Sequence, residues 1–431
     1  MYKLLFFLFL TLSLNATTLK IASYNVENLF DMQNNGTEYK AYKPNHHNWT
    51  RKNFQKKLLN ISEVICDINA DIIGLQEIEN EHVLKLLKKS LKNSGCHYKY
   101  HAITHKKSSA IQVALLSKIP ITSVKEIIVN RKLKYRHILE AKFMVNQKSL
   151  YLFVNHWSSK RSAESSRMAS AKALVKRLKS LGKGSEYILL GDFNADYDEY
   201  LHLEKKHNDT EGKTGINHVL KSINNEKFFR KEHLNSGDFS HYNLWLELAN
   251  YKRWSHNFYG NKQALDAILI PNTLLDGQGI DYVDNSFTVF KKRYLFHKEG
   301  YIFRWEYKKQ RHKGRGYSDH LAVVAHFSTS ELYSKKRKVP TVGTIDKLFH
   351  ENVIFPILLK RVKVTSKEKN KVRIFQKESK KNILIYGTKK FFTLGNVYDV
   401  MVYGCKNHKG EYEVIDFEIE KRYDALTLTK E

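Results

Sequence analysis

The stretch Tyr187–Asp198, YILLGDFNADYD, restricts this chain more than any other. Its apolar head, Tyr187 to Leu190, is too short for a stable helix and reads as a strand buried on both faces. Gly191 ends that run. Asp192 and Asn194 follow two residues apart, a spacing that puts both side chains on one side. The carboxylate accepts a proton or binds a metal, and the amide donates N–H to an anionic oxygen. The pair suits hydrolysis of a phosphate ester. Taken alone, such a pair more often marks an ordinary turn after a strand, so the rest of the chain decides.

The same arrangement recurs. Leu19 to Glu27 alternates apolar and polar residues and carries Asn25 and Glu27 on one face at its end. A polar loop spans Met32 to Thr50. Lys52 to Asn69 has helical spacing, with Leu58, Leu59, Ile61, Val64, Ile65 and Ile68 on a broad face. Asp71 to Glu77 is a buried strand that delivers Glu77, which beside Asn25 and Asp192 is a ligand for a hard cation. Val83 to Leu91 is a second amphipathic helix. Ile111 to Leu116, Arg136 to Phe143 and Leu150 to Val154 read as strands. The last leads into His156, then Ser158, Ser159, Lys160 and Arg161, whose hydroxyls and cations fit a phosphate. A helix over Ser165–Leu181 returns the chain to the opening stretch. Gln263 to Ile270 is a strand with Asp266 near its start. Tyr317 to Val324 sets Asp319 and His320 ahead of a buried run. One such strand end is unremarkable. Polar groups suited to phosphate chemistry at Asn25, Glu77, His156, Asp192/Asn194 and Asp319/His320 are not explained by turn composition.

Two segments resist this reading. Asp198 to Asn261 is long, polar and weakly patterned, and is expected as loops and short helices over one rim of the site. Phe287 to His312 mixes Phe290, Lys291, Arg293, Tyr294, Arg304, Trp305 and Arg311. That mixture suits bases and phosphates, and equally a solvated loop over the core.

With KIASYNVENLF, DIIGLQEIEN, FVNHWSSKR, LGDFNADYDE, QALDAILI and YSDHLAVVAHF in this order, Leu19 to Phe327 resembles the endonuclease/exonuclease/phosphatase superfamily. The resemblance implies an α+β fold, a four-layer α/β/β/α sandwich of two packed β-sheets. It implies Mg²⁺ or Mn²⁺ at Glu77, with Asn25, Glu27 and Asp319 close by. Asp192 would position or activate the attacking water, and Asn194 would hold a phosphate oxygen. Asp266 would fix the tautomer of His320. His156 looks like the second histidine of deoxyribonuclease-like members, and Arg136 like a phosphate-binding arginine. Ser158, Lys160 and Arg161 complete the expected substrate contacts. Lys106 to Val113 lacks the Arg or Tyr of many members, so the group assisting departure of the leaving oxygen stays open.

The net charge of +29 favours a polyanionic partner. The leading expectation is a nuclease for DNA, with RNA left open, acting as a monomer. A phospholipid phosphodiesterase or phosphatase of the same fold, and an inactive binder of extracellular DNA, are the alternatives. Residues Met1 to Ala16 combine Lys3 with an apolar run that is too short to span a bilayer. They read as an export signal on a secreted protein without stable membrane insertion. An exported chain with Cys66, Cys96 and Cys405 has room for one disulfide and one free thiol. Cys66, on an apolar helical pattern, reads as a buried small hydrophobe. After the basic run SKKRKV (Ser334 to Val339, within a linker at 331–345), residues 346–431 show short strands punctuated by Gly387, Gly395 and Gly404. That pattern suits a small OB-like β-barrel. Its Lys360–Arg373 region is strongly basic, either a solubilising surface or a tether to nucleic acid. Its acidic stretch Glu411–Glu420 is expected on another face. Every candidate catalytic group precedes the linker, so the appendage is expected to add grip rather than chemistry.

Overall fold

The computed structural model describes residues 17–130, 135–231, 239–258, 260–330, 340–350, 352–368, 371–386, 392–408 and 410–423. The export segment, the SKKRKV run and Gly387 lie outside the described residues.

Two large sheets carry the fold. The first holds β1 (Thr18–Leu29), β2 (Ile72–Ile78), β3 (Tyr100–Ile103), β4 (Gln112–Ser117), β15 (Asp281–Tyr282), β16 (Thr288–Val289) and β19 (Val323–Ser328). Its order is β15–β19–β1–β2–β4–β3, with β16 also on β19. The second holds β5 (Ile121–Ile127), β6 (Ile138–Val145), β7 (Lys148–His156), β8 (Glu186–Asp192), β11 (Tyr242–Asn243) and β14 (Asp266–Ile270), in the order β11–β14–β8–β7–β6–β5. Among the described residues, small hairpins are β9–β10 (Ile223–Asn224, Lys227–Phe228), β12–β13 (His256–Phe258, Asn261–Gln263) and β17–β18 (Tyr307–Lys308, Arg311–His312).

The sheets pack face to face over one apolar core. At Gly74 they approach so closely that an added Cβ would lie 2.4 Å from Leu190 Cδ1. Helices α1 (Arg51–Ile68) and α2 (Glu81–Asn93) cover the first sheet, and α3 (Glu164–Leu181) lies against the second. Thr50 and Asn80 cap α1 and α2 by accepting the Asn53 and Val83 N–H groups, which leaves fewer orphan donors at those helix starts. The result is a mixed α/β fold of packed sheets with helices outside.

Strand direction positions the site. β1 and β2 are parallel, as are β7 and β8, whereas β14 and β19 run antiparallel to their neighbours. The C-terminal ends of the first four therefore fall at the same edge as the N-terminal ends of the last two. Register sharpens this: Asp192 pairs with both His156 and Asp266.

The structure corrects several readings. Gly191 does not end its strand, since β8 runs through it to Asp192. Its φ of +136° and an added Cβ only 2.1 Å from Asn155 O exclude other residues there. Cys66 is not a buried hydrophobe but half-buried and disulfide-bonded to Cys96, tying the end of α1 to the segment after α2. Helical spacing reveals an apolar face but not what lies opposite it. Strands β3 and β5 carry no clear sequence signature because both are sheet edges, and β5 is largely exposed. The buried strand after His320 begins only at Val323.

Beyond Pro340, a second apolar cluster includes Ile357, Leu359, Val364, Ile374, Ile385 and Val400. Here β20 (Thr341–Gly343) joins β21 (Ile357–Lys367), followed by β22 (Lys371–Phe375), β23 (Ile383–Tyr386), β24 (Val397–His408) and β25 (Glu411–Tyr423). Pairing runs β21–β22–β23–β25–β24 and then from β24 to β21.

Candidate active site

The shared sheet edge opens into a cleft of about 1330 Å³ whose lining includes Glu77, Arg136, His156, Asp192, Asn194 and His320. Asn25 is fully buried beside Glu77 and Asp192. Its Nδ2 donates to Asp192 Oδ2 (3.0 Å) and to Glu77 Oε1 (3.2 Å), bridging the two sheets. The other Glu77 oxygen accepts the Asn28 N–H at 2.8 Å. His156 Nε2 stands 3.5 Å from Asp192 Oδ2 and 3.7 Å from Glu77 Oε1. Across the cleft, His320 Nδ1 is 2.7 Å from Asp266 Oδ2, which also accepts the Ser255 hydroxyl at 2.6 Å. His320 Nε2 lies 4.0 Å from Asp192 Oδ2.

Three of these positions carry backbone that side chains other than glycine seldom adopt. Glu27, Glu77 and Asn194 have φ of 54°, 67° and 48°, each costing on the order of 1 kcal/mol. Local hydrogen bonds hold two of them: Asn25 Oδ1 accepts the Glu27 N–H (3.0 Å), and Asp192 Oδ1 accepts the Asn194 N–H (2.8 Å). Strain held this way aims the following side chains.

Burial separates the titratable groups. It pushes the Asp192 carboxyl up from its ordinary range, with Asp266 and Glu77 adding to the rise against His320. Burial would lower His320, but Asp266, Asp192 and Asp319 outweigh it and hold the imidazole well above its ordinary value. His156 falls well below, through burial and then the Arg136 and His320 charges. One histidine is therefore cationic and the other neutral at pH 7. Burial would raise Asp319, yet His256, His320 and Arg304 bring it down.

Other expected residues are placed differently. Glu27 faces Arg304, which binds its Oε1, and its Oε2 accepts the Trp305 N–H at 3.2 Å. Asp319 lies 3.1 Å from the same guanidinium. Glu27 thus holds the 287–312 segment against the site. The Asn194 amide donates to Trp157 O (3.1 Å) and Asp192 Oδ2 (3.2 Å), so it orients the carboxylate. Arg136 lines the cleft with Nη1 donating to Trp157 O at 3.1 Å. Lys160 is held by Asp196 and Glu199, both at 2.6 Å, and is not a free cation. Arg161 is exposed in the cleft wall, whereas Ser158 is buried.

Two neighbours were missed as site residues. His256 lies against His320 with ring centroids 4.7 Å apart and ring planes tilted by 42°, and its Nε2 lies 3.8 Å from Asp319 Oδ2. It comes from the unpatterned insert, where nothing in the sequence marks it. The sequence marks Arg304 only as part of a basic, aromatic stretch.

The donor set fits a hard divalent cation. Carboxylate oxygens dominate, and Asp266 Oδ1 and His156 Nδ1 are buried without a hydrogen-bond partner. The tightest groupings, Asp192–Asp266–His320 and His256–Asp319–His320, both include His320. A cationic imidazole is a poor ligand. Glu77 therefore fits the ion better: it lines the cleft, and among the described residues no Lys or Arg lies within ion-pair distance of it.

Among solved structures, humanized D. rerio TDP2 carrying 14 mutations is similar at 14% identity, with a TM-score of 0.46 over 72% of this chain and 98% of that one. An endonuclease/exonuclease/phosphatase family protein from Bacteroides thetaiotaomicron is 15% identical, with a TM-score of 0.46 over 73% and 99%. One from Leptotrichia buccalis is 14% identical, with a TM-score of 0.42 over 71% and 98%. No curated protein matches the chain. The model of the Endonuclease/Exonuclease/phosphatase family matches residues 20–329, and the chain belongs to that family.

Proposed function

We propose that this protein is a secreted, metal-dependent nuclease that hydrolyses phosphodiester bonds of DNA. The observation that carries the reading is the meeting of Glu77, His156, Asp192 and the Asp266–His320 pair around one cleft. A diester in that cleft meets a neutral imidazole, a raised carboxylate and a cationic imidazole together. Asp192 accepts the proton of the attacking water, which its raised pKa favours. His320, kept cationic by Asp266, neutralises charge developing on the phosphoryl oxygens. His156 donates a hydrogen bond to the same group. Glu77, oriented by Asn25, would hold the Mg²⁺ or Mn²⁺, which supplies Lewis-acid stabilisation when bound.

The charge of +29 favours nucleic acid over a neutral lipid. The Cys66–Cys96 pair agrees with export to an oxidising compartment. The ring of pairings from β21 through β24 supports reading the C-terminal unit as an OB-like barrel that grips nucleic acid. The test is purified protein incubated with plasmid DNA, RNA and sphingomyelin, with Mg²⁺ or with EDTA. Cleavage of plasmid that EDTA abolishes supports the reading. Cleavage of sphingomyelin alone replaces it with the lipid alternative.

A further inference from the structure

The acidic strand of the C-terminal unit does not lie apart from the rest of the molecule. β25 carries Asp416, Glu418 and Glu420 against the 198–261 insert. Asp416 Oδ1 is 2.7 Å from Arg253 Nη2. Glu418 Oε1 accepts the Phe228 N–H at 2.8 Å, and its Oε2 lies 3.7 Å from Arg230 Nε. The Arg230 guanidinium lies 3.8 Å from the Tyr403 ring centroid. Glu420 pairs with Lys227. The Arg253 and Arg230 side chains are only 2% and 6% exposed. Exposed ion pairs contribute little, but a buried charge stripped of its partner is strongly destabilising. This contact is built into the fold.

It also leads to the active site. Arg253 Nε donates to Leu248 O at 2.7 Å, and its guanidinium sits 5.0 Å from the Tyr197 ring centroid. Arg253 and Tyr197 both line the cleft. Two residues beyond Arg253, Ser255 donates to Asp266, and Asp266 holds His320. The next residue, His256, packs its ring against His320. The segment that seats the catalytic pair is therefore pinned from outside the catalytic unit.

We propose that the C-terminal unit braces the catalytic cleft, with Asp416 a positioning residue that fixes, through Arg253, the segment seating Asp266 and His320. This rests on the phosphodiesterase reading above. A tether raises avidity for long polyanions only. A brace changes turnover of any substrate, because small displacements of reacting groups cost large factors in rate.

The experiment uses the full chain with Asp416→Ala, Arg253→Ala and the double variant, assayed on bis(p-nitrophenyl) phosphate with Mn²⁺. Each single variant is expected to lose on the order of tenfold in kcat with little change in KM. The double variant should lose no more than the worse single one, since both break one contact. Amide hydrogen exchange should quicken over residues 250–256 in Asp416→Ala while β1 and β8 stay protected. Wild-type kcat in a folded Asp416→Ala protein overturns the proposal, as does an effect confined to KM for long DNA. If Asp416→Ala does not fold, Asp416→Asn is measured in the same way. If the wild-type protein cleaves no phosphodiester at all, the functional reading fails and exchange alone decides the brace. Unchanged protection over 250–256 then sinks it, and faster exchange carries it.

Discussion

His320 Nδ1 lies 2.7 Å from Asp266 Oδ2, and Asp266 is completely buried. The pairing fixes the ring so that Nε2 faces Asp192 and the cleft, and it keeps the ring protonated. Asp266→Asn preserves shape but removes the charge. It should lower kcat on the order of 10²–10⁴. His320 acts as a cation, so activity is lost as pH rises through its pKa. Removing Asp266 lowers that pKa, and the basic limb of the pH–rate profile should move to lower pH. A profile unchanged in position would assign Asp266 a purely structural role.

Glu77 lines the open cleft and accepts hydrogen bonds from Asn25 Nδ2 and the Asn28 N–H. Glu77→Gln should abolish metal-dependent turnover and weaken Mn²⁺ binding at least tenfold by calorimetry, the scale expected when a charged ligand is lost. The melting temperature without metal should stay near wild type. Unchanged Mn²⁺ affinity would move the ion to the groups around His320.

Gly191 carries a test of the fold. A Cβ there meets Asn155 O at 2.1 Å, with φ at +136°. Gly191→Ala should destabilise by roughly 3 kcal/mol or more, since strain and overlap add in a packed interior. Urea unfolding measures it. A loss below 1 kcal/mol would mean that β7 and β8 can separate locally at little cost.

Acid sensitivity should come partly from His241. It is fully buried between the Tyr187 hydroxyl and Leu220 O, and burial lowers its pKa to about 4. An unfolded histidine titrates near 6.5. Below that value the unfolded chain binds the proton and the folded one resists it. The contribution is therefore complete above pH 6.5 and is lost as pH falls toward 4, by about 3 kcal/mol. His312, lowered to about 4 chiefly by burial, acts in the same direction. Urea unfolding at pH 7.5, 5.5 and 4.5 should show the decline, and His241→Gln should flatten it.

Strands β2, β7 and β8, with the polar groups at their ends, were legible because a strand buried on both faces must be a short apolar run, and β1 from its alternation of apolar and polar residues. The residue that breaks the run marks the edge of the sheet. Asn25, Glu77, His156, Asp192 and Asp319–His320 could be named on that ground, and the order of their motifs carried the family. Helices α1 and α2 were equally plain from apolar spacing. Edge strands β3 and β5 were not, because an edge buries little and needs no apolar signature.

Partner choice was decided only by tertiary structure. Glu27 and Glu77 read alike, yet Arg304 takes one and leaves the other at the cleft. Lys160 reads as a phosphate contact until Asp196 and Glu199 neutralise it. His256 and Asp416 carry no local signal at all. Their places depend on how the insert folds over one sheet edge and on where β25 docks. The sequence of this protein determined which residues arrive at that edge, because burial acts on each strand separately. Which charges meet there was settled by packing between segments far apart in the chain, where a carboxylate's role depends on the cation that reaches it.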